Sequence, residues 1–94
     1  MPLTRQEVRA AVAKYSDWSV ATMTQLAWCE SRFEPWVVNP TAVRERGRGD
    51  LHSTGLLGVL GGSTVAATNV AQAHALWLLQ GYGAWRGDFT SGCA

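Results

Sequence analysis

The chain has no apolar run of the length a bilayer requires, so membrane insertion is not expected. It also lacks a charge excess. Eight Lys and Arg stand against seven Asp and Glu, a formal net charge of +1, so no global field draws it to nucleic acid or to a membrane surface. Cysteine is scarce: Cys29 and Cys93 are the two present, and His52 and His74 lack any C-x-x-C or H-x-x-x-H spacing. Four soft ligands at workable spacing are missing, so neither a metal nor a cofactor is expected. The glycine-rich run Gly55–Gly62 has no Lys-Ser/Thr after it, which removes a phosphate-binding loop. Repeats and low-complexity segments are absent as well. Met1-Pro2-Leu3-Thr4-Arg5 leads into charged sequence without a signal-peptide core, so the expectation is a chain not exported by its own sequence.

What remains fits one small globular domain over residues 1–94, with 47% apolar content. Five Trp is a high number for this length. Indoles serve as core anchors, but they also line carbohydrate and ligand clefts, and composition leaves both uses open. Arg44, Arg46 and Arg48 form a local basic cluster with Glu45 and Asp50 nearby. It reads as a solvated loop, or as a patch that meets an anionic polymer such as a cell wall.

Local signals predict three helices. Thr4-Arg5-Gln6-Glu7 is a capping box, and Val8, Ala11, Val12 and Tyr15 follow at helical spacing, giving a helix from about 5 to 15. Ser16-Asp17 breaks it and caps a second helix over about 17–32, with Val20, Met23, Leu26 and Ala27 on its apolar side and Pro35 as its stop. Residues 34–54 hold two prolines and dense charge. They read as a long loop with short strands at Trp36-Val37-Val38 and around residue 57. A third helix is expected from Thr68 or Asn69, either able to cap it, to a stop at Gly81. The end, Tyr82 to Ala94, reads as turn-rich and loose unless Cys93 is tied down.

Glu30 lies in the last turn of the second helix, beside Leu26, Ala27 and Trp28. Apolar and aromatic neighbours raise a carboxyl pKa and keep the group protonated near neutral pH, which is what a general acid requires. The other reading of the same residue is a solvated carboxylate on a polar helix face. Gly55-Leu56-Leu57-Gly58-Val59-Leu60-Gly61-Gly62 is either a tight buried connection or a place where backbone approaches a ligand closely.

Cys29-Glu30-Ser31-Arg32-Phe33 with Pro35 resembles the E-S-x-F-x-P-x-A signature of the soluble lytic transglycosylases and their lysozyme-like relatives, Val37 standing in place of Ala. Ser53-Thr54-Gly55-Leu56-Leu57 resembles the family's G-L-M-Q loop, with Gly58 where the Gln belongs. Asn69-Val70-Ala71-Gln72-Ala73 resembles its N-I-x-x-G/A helix start. Gly81-Tyr82-Gly83-Ala84-Trp85 with Cys93 resembles the end of the actinobacterial resuscitation-promoting factors. The motifs run in family order across residues 18–94.

The resemblance implies a mainly α, lysozyme-like α+β fold, with the long loop or a short hairpin forming one side of a cleft. It implies cleavage of the MurNAc-β-1,4-GlcNAc bond of peptidoglycan glycan strands. Glu30 would be the single acid and base, and Ser31, Trp36, Thr54, Leu56 and Tyr82 would line sugar subsites. A lysozyme-type hydrolysis needs a second carboxylate, for which Asp50 is the candidate ahead of Glu34 and Asp88. The same resemblance implies a Cys29–Cys93 disulfide, which needs an oxidising setting. A phage protein that is virion-associated or released to the cell wall reconciles that bond with the missing signal peptide. The alternative is a catalytically inactive wall-binding or virion structural module.

Overall fold

The computed structural model describes residues 1–45 and 49–94, and Arg46 and Arg48 of the basic cluster lie outside the described residues. The fold is mixed α+β rather than mainly helical. About half of the chain is helical, and a three-stranded antiparallel sheet occupies most of the stretch expected to be a loop.

Helix α1, Arg5–Val12, starts on the expected capping box: Glu7 N–H donates to Thr4 Oγ1 at 3.1 Å and Thr4 N–H to Glu7 Oε1 at 2.9 Å. Its buried stripe is Val8 and Val12. It ends short of residue 15 because the Val12 carbonyl is taken from elsewhere. The Trp18 indole N–H donates to it at 2.8 Å and the Tyr15 amide at 3.3 Å, so the ladder does not continue.

Helix α2, Val20–Ser31, begins later than expected. Ser19 caps it by accepting from Thr22 N–H at 3.1 Å. Asp17, the expected cap, instead meets His74 Nε2 at 2.8 Å. Met23, Leu26 and Ala27 are fully buried, as the apolar periodicity requires. The helix stops ahead of Pro35: Arg32 and Phe33 both take left-handed backbone, with φ of 53° and 65°. Such a conformation is costly for residues with side chains and persists where surroundings hold it. Phe33 is buried, its carbonyl accepts from Leu3 N–H at 2.9 Å, and its ring meets Trp28 at 5.2 Å between centroids.

Strands β1 (Val38–Glu45), β2 (Gly49–Thr54) and β3 (Val59–Leu60) form a sheet in that order. Trp36 and Val37 lie before β1, and the second expected strand falls at 59–60, after a turn over 55–58. Pairing runs Val43↔Leu51 and Ala42↔His52, then slips before Val38↔Thr54. Pro40 sits in the irregular stretch and has no N–H to give the ladder. Asn39 compensates: its side chain accepts from Thr41 N–H at 2.9 Å and its carbonyl accepts from His52 Nδ1–H at 2.7 Å.

Helix α3, Ala66–Gln80, starts before Asn69 and without a side-chain cap, and ends at Gly81, where φ is 60°. A 3₁₀ turn, Gly81–Trp85, and a short helix α4, Arg86–Thr90, then replace the expected loose tail. Cys93 is bonded to Cys29, with Cα atoms 5.9 Å apart, which ties the C-terminus to the end of α2. A closed loop of 64 residues corresponds to about 4 kcal/mol in the chain-entropy model. The core gathers Val8, Val12, Met23, Leu26, Leu56, Leu57 and Val70 between the helices and the β2–β3 turn. No helix among the described residues is long and apolar enough to cross a membrane.

Candidate active site around Glu30

Glu30 lies one residue before the end of α2, in the turn that carries Cys29 and the disulfide. It is partly buried. The side chain faces the β2–β3 turn: a Cβ added to Gly58 would collide with Glu30 Oε1 and come within 2.9 Å of its Cδ. Gly58 also has φ of +60°, so both its backbone and the space above it call for glycine. Glycine at position 58 is therefore what lets the Glu30 carboxyl rest on the turn.

Burial is the first cause that pushes the Glu30 pKa up, to about 8, and the hydrogen bond and charge of Asp88 act in the same direction. At neutral pH the group is mostly protonated, as a proton donor must be. Asp88 sits on α4, which packs against α2. In the sequence Asp88 stands behind Asp50 as a candidate second carboxylate. The signal that could have placed it is its position shortly before Cys93, whose disulfide partner adjoins Glu30.

The turn beneath Glu30 is held by side chains from three elements. The Ser31 hydroxyl, 3% exposed, lies 2.8 Å from Leu56 O and 2.9 Å from Ala27 O and shares its one proton between the two carbonyls. Asn69, fully buried, accepts from Leu57 N–H at 2.8 Å and donates to Thr54 O at 2.8 Å and Ser63 O at 3.0 Å. The Trp85 indole N–H donates to Leu57 O at 2.8 Å. These bonds satisfy the polar backbone of a buried turn, which would otherwise be destabilising. Asn69, expected as a helix cap, is thus the clamp of the glycine-rich turn. Its motif match was the one sign of a special role.

Of the residues expected to line sugar subsites, Ser31, Thr54 and Leu56 meet at this turn, but on its inner side. Leu56 is fully buried and Thr54 nearly so, its hydroxyl donating to His52 O at 2.9 Å. With Ser31 they belong to the interior, so contact with a ligand at this turn would fall to backbone. Trp36 is 49% exposed, just before β1. The Tyr82 hydroxyl accepts from Ser19 N–H at 2.8 Å, and its ring packs on Trp77 and Phe89. Tyr82 also borders a concavity of about 330 Å³ with Thr22, Gly83, Arg86 and Phe89. Asp50 is exposed on β2 and pairs with Arg44 across the hairpin, Nε to Oδ1 3.3 Å.

A larger groove of about 550 Å³ runs between β3 and α3, walled by Val59, Gly62, Gln72, Leu76 and Leu79 among others. It begins one residue beyond Gly58, and Glu30 is not among its lining residues. No group of three His, Cys, Asp or Glu side chains that could hold a metal occurs among the described residues. No family model, no curated protein and no solved structure matches this chain.

Proposed function

We propose that this chain is a reduced lysozyme-like domain that cleaves the MurNAc-β-1,4-GlcNAc bond of peptidoglycan, with Glu30 as acid and then base. The observation that carries the reading is the state of Glu30: a partly buried carboxyl at a helix end, its pKa raised to about 8, set against a glycine turn. Protonated Glu30 gives its proton to the glycosidic oxygen as the leaving sugar departs and an oxocarbenium-like centre forms. Ionised Glu30 then takes the proton of the muramoyl C6 hydroxyl, and that oxygen closes a 1,6-anhydro ring. This lytic-transglycosylase route needs one carboxylate. It is preferred over hydrolysis by way of Asp50, because Asp50 is exposed and engaged with Arg44. Action on a wall from a phage virion, or after release to the wall, fits a domain braced by a disulfide.

The test is digestion of purified walls by the parent and by Glu30→Gln, with mass spectrometry of the products. The parent should release fragments with anhydro ends, one water lighter than reducing ends. Glu30→Gln should lose roughly 10²–10⁴-fold in rate, the usual weight of general acid–base catalysis. A variant that clears walls at the parent rate would overturn the reading. The second reading, a wall-binding or virion structural module, draws on Gly58 in place of the family's Gln and on a main groove that Glu30 does not line. It requires a parent that binds walls and releases no muropeptides.

A further inference from the structure

Asp88 enters the Glu30 site through covalent and backbone constraints that begin in the C-terminal segment. Its carbonyl accepts from Cys93 N–H and from Ala94 N–H, both at 3.0 Å, and from the Ser91 hydroxyl at 3.1 Å. Cys93 is bonded to Cys29, the residue before Glu30, and its own carbonyl accepts from Gln25 Nε2 at 2.7 Å, one helical turn back along α2. The disulfide and these hydrogen bonds hold α4 on the end of α2, the turn that carries Glu30, and a hydrogen bond and the charge of Asp88 both push the Glu30 pKa up.

One oxygen of that carboxyl, Asp88 Oδ2, is buried and has no donor among the described residues. Buried acceptors are nearly always satisfied, and two ionised carboxylates can only accept. The contact becomes a hydrogen bond when one of the two carries a proton. Other charged side chains nearby are turned elsewhere. Arg32 lies over the Trp28 ring at 4.8 Å, Arg5 over the Phe33 ring at 5.2 Å, and Lys14 over the Tyr15 ring at 6.0 Å. Glu7 is held in its capping box, Arg9 is exposed on α1, and Arg86 borders the concavity beside Phe89. Cys29 is in the disulfide, and the turn over residues 55–58 carries no ionisable side chain. After burial, Asp88 is the group whose hydrogen bond and charge raise the Glu30 pKa.

We propose that Asp88 is the positioning residue of Glu30: its carboxylate accepts the Glu30 proton in a carboxyl–carboxylate hydrogen bond, so the acid is aimed and kept loaded. The proposal rests on the glycosidase reading for its consequence in rate, and not for the pair itself. When Glu30 delivers its proton, two like charges are left in contact. That repulsion favours the return of a proton to Glu30, which is the second half of the cycle. Asp88 touches neither sugar nor scissile bond in this scheme.

The experiment compares the parent with Asp88→Asn by two readouts. The first is a ¹³C NMR titration of the Glu30 side-chain carboxyl, which needs no substrate. The second is the pH–rate profile on purified walls. Removing the like charge should move the Glu30 titration and the alkaline limb of the profile together to lower pH. A displacement of about one pH unit would lower the rate at pH 8 by about fivefold and leave the rate at pH 6 nearly unchanged, which a general loss of structure does not do. A Glu30 titration that stays in place in a folded Asp88→Asn protein overturns the pairing. If that variant fails to fold, the parent decides: a Glu30 curve with two coupled steps supports the pair, and one simple step overturns it. A shifted titration in a protein that never cleaves walls keeps the pair and overturns the glycosidase reading.

Discussion

The α-carbon of Gly58 lies against the carboxyl of Glu30, so close that a Cβ there would sit 3.1 Å from the Glu30 Cβ and closer still to its carboxyl atoms. The turn and the acid are thus one steric unit. Gly58→Ala should displace the Glu30 carboxyl and strain a backbone at φ +60°, destabilising the fold by about 1–2 kcal/mol from the backbone alone. Denaturant titration checks the stability. Under the proposed glycosidase function, wall digestion by the same variant should be slower than that by the parent. Gly58→Gln should cost more and not less, because the larger side chain meets the same obstacle.

Stability should fall as pH rises through the range set by Glu30. The folded-state pKa, about 8, is above the ordinary value of 4.5, so between these values the folded chain holds a proton that the unfolded chain has released. The stabilisation tied to this group is fully present below pH 4.5 and is lost as pH climbs through about 8. Melting temperatures measured across that window should decline for the parent. Glu30→Gln, which has nothing to ionise, should remove that decline and be the more stable protein at pH 9.

Opening the disulfide should loosen the C-terminal segment first. Cys93→Ser removes a closure of 64 residues and about 4 kcal/mol of stability, to be read from the denaturant midpoint. Asp88 is held near Glu30 through Cys93, so the Glu30 titration should also move to lower pH in this variant, below the unfolding transition. Reduction of the parent should reproduce both effects, and alkylation of the untreated protein should block no thiol.

Asn69→Leu tests the clamp. The change strands the Leu57 amide and the Thr54 carbonyl in a buried setting, and each orphaned group costs about 1–3 kcal/mol. The expected loss is about 3 kcal/mol or more in denaturant titration. Hydrogen exchange at the Leu57 amide should accelerate well beyond that of α1.

Signals that act within one or two turns were legible in the amino-acid sequence. The capping box of α1, the buried stripe Met23, Leu26 and Ala27, the stop at Gly81 and the position of Glu30 in the last turn of α2 depend on neighbours a few residues away. Chain order by itself therefore specifies them. The helix ends were decided by distant partners: Trp18 took the Val12 carbonyl, His74 took Asp17, and Leu3 held Phe33 in the left-handed region. Charge and two prolines over 34–54 read as a loop with short strands at its ends, yet a longer hairpin pairs there, and Asn39 supplies hydrogen bonds where Pro40 offers no donor. Tertiary structure alone placed Asp88 beside Glu30 and left Asp50 on the surface with Arg44. The reason is physical: a carboxyl's protonation is set by what lies across space from it, and packing of α4 on α2 through Cys29–Cys93 decides that.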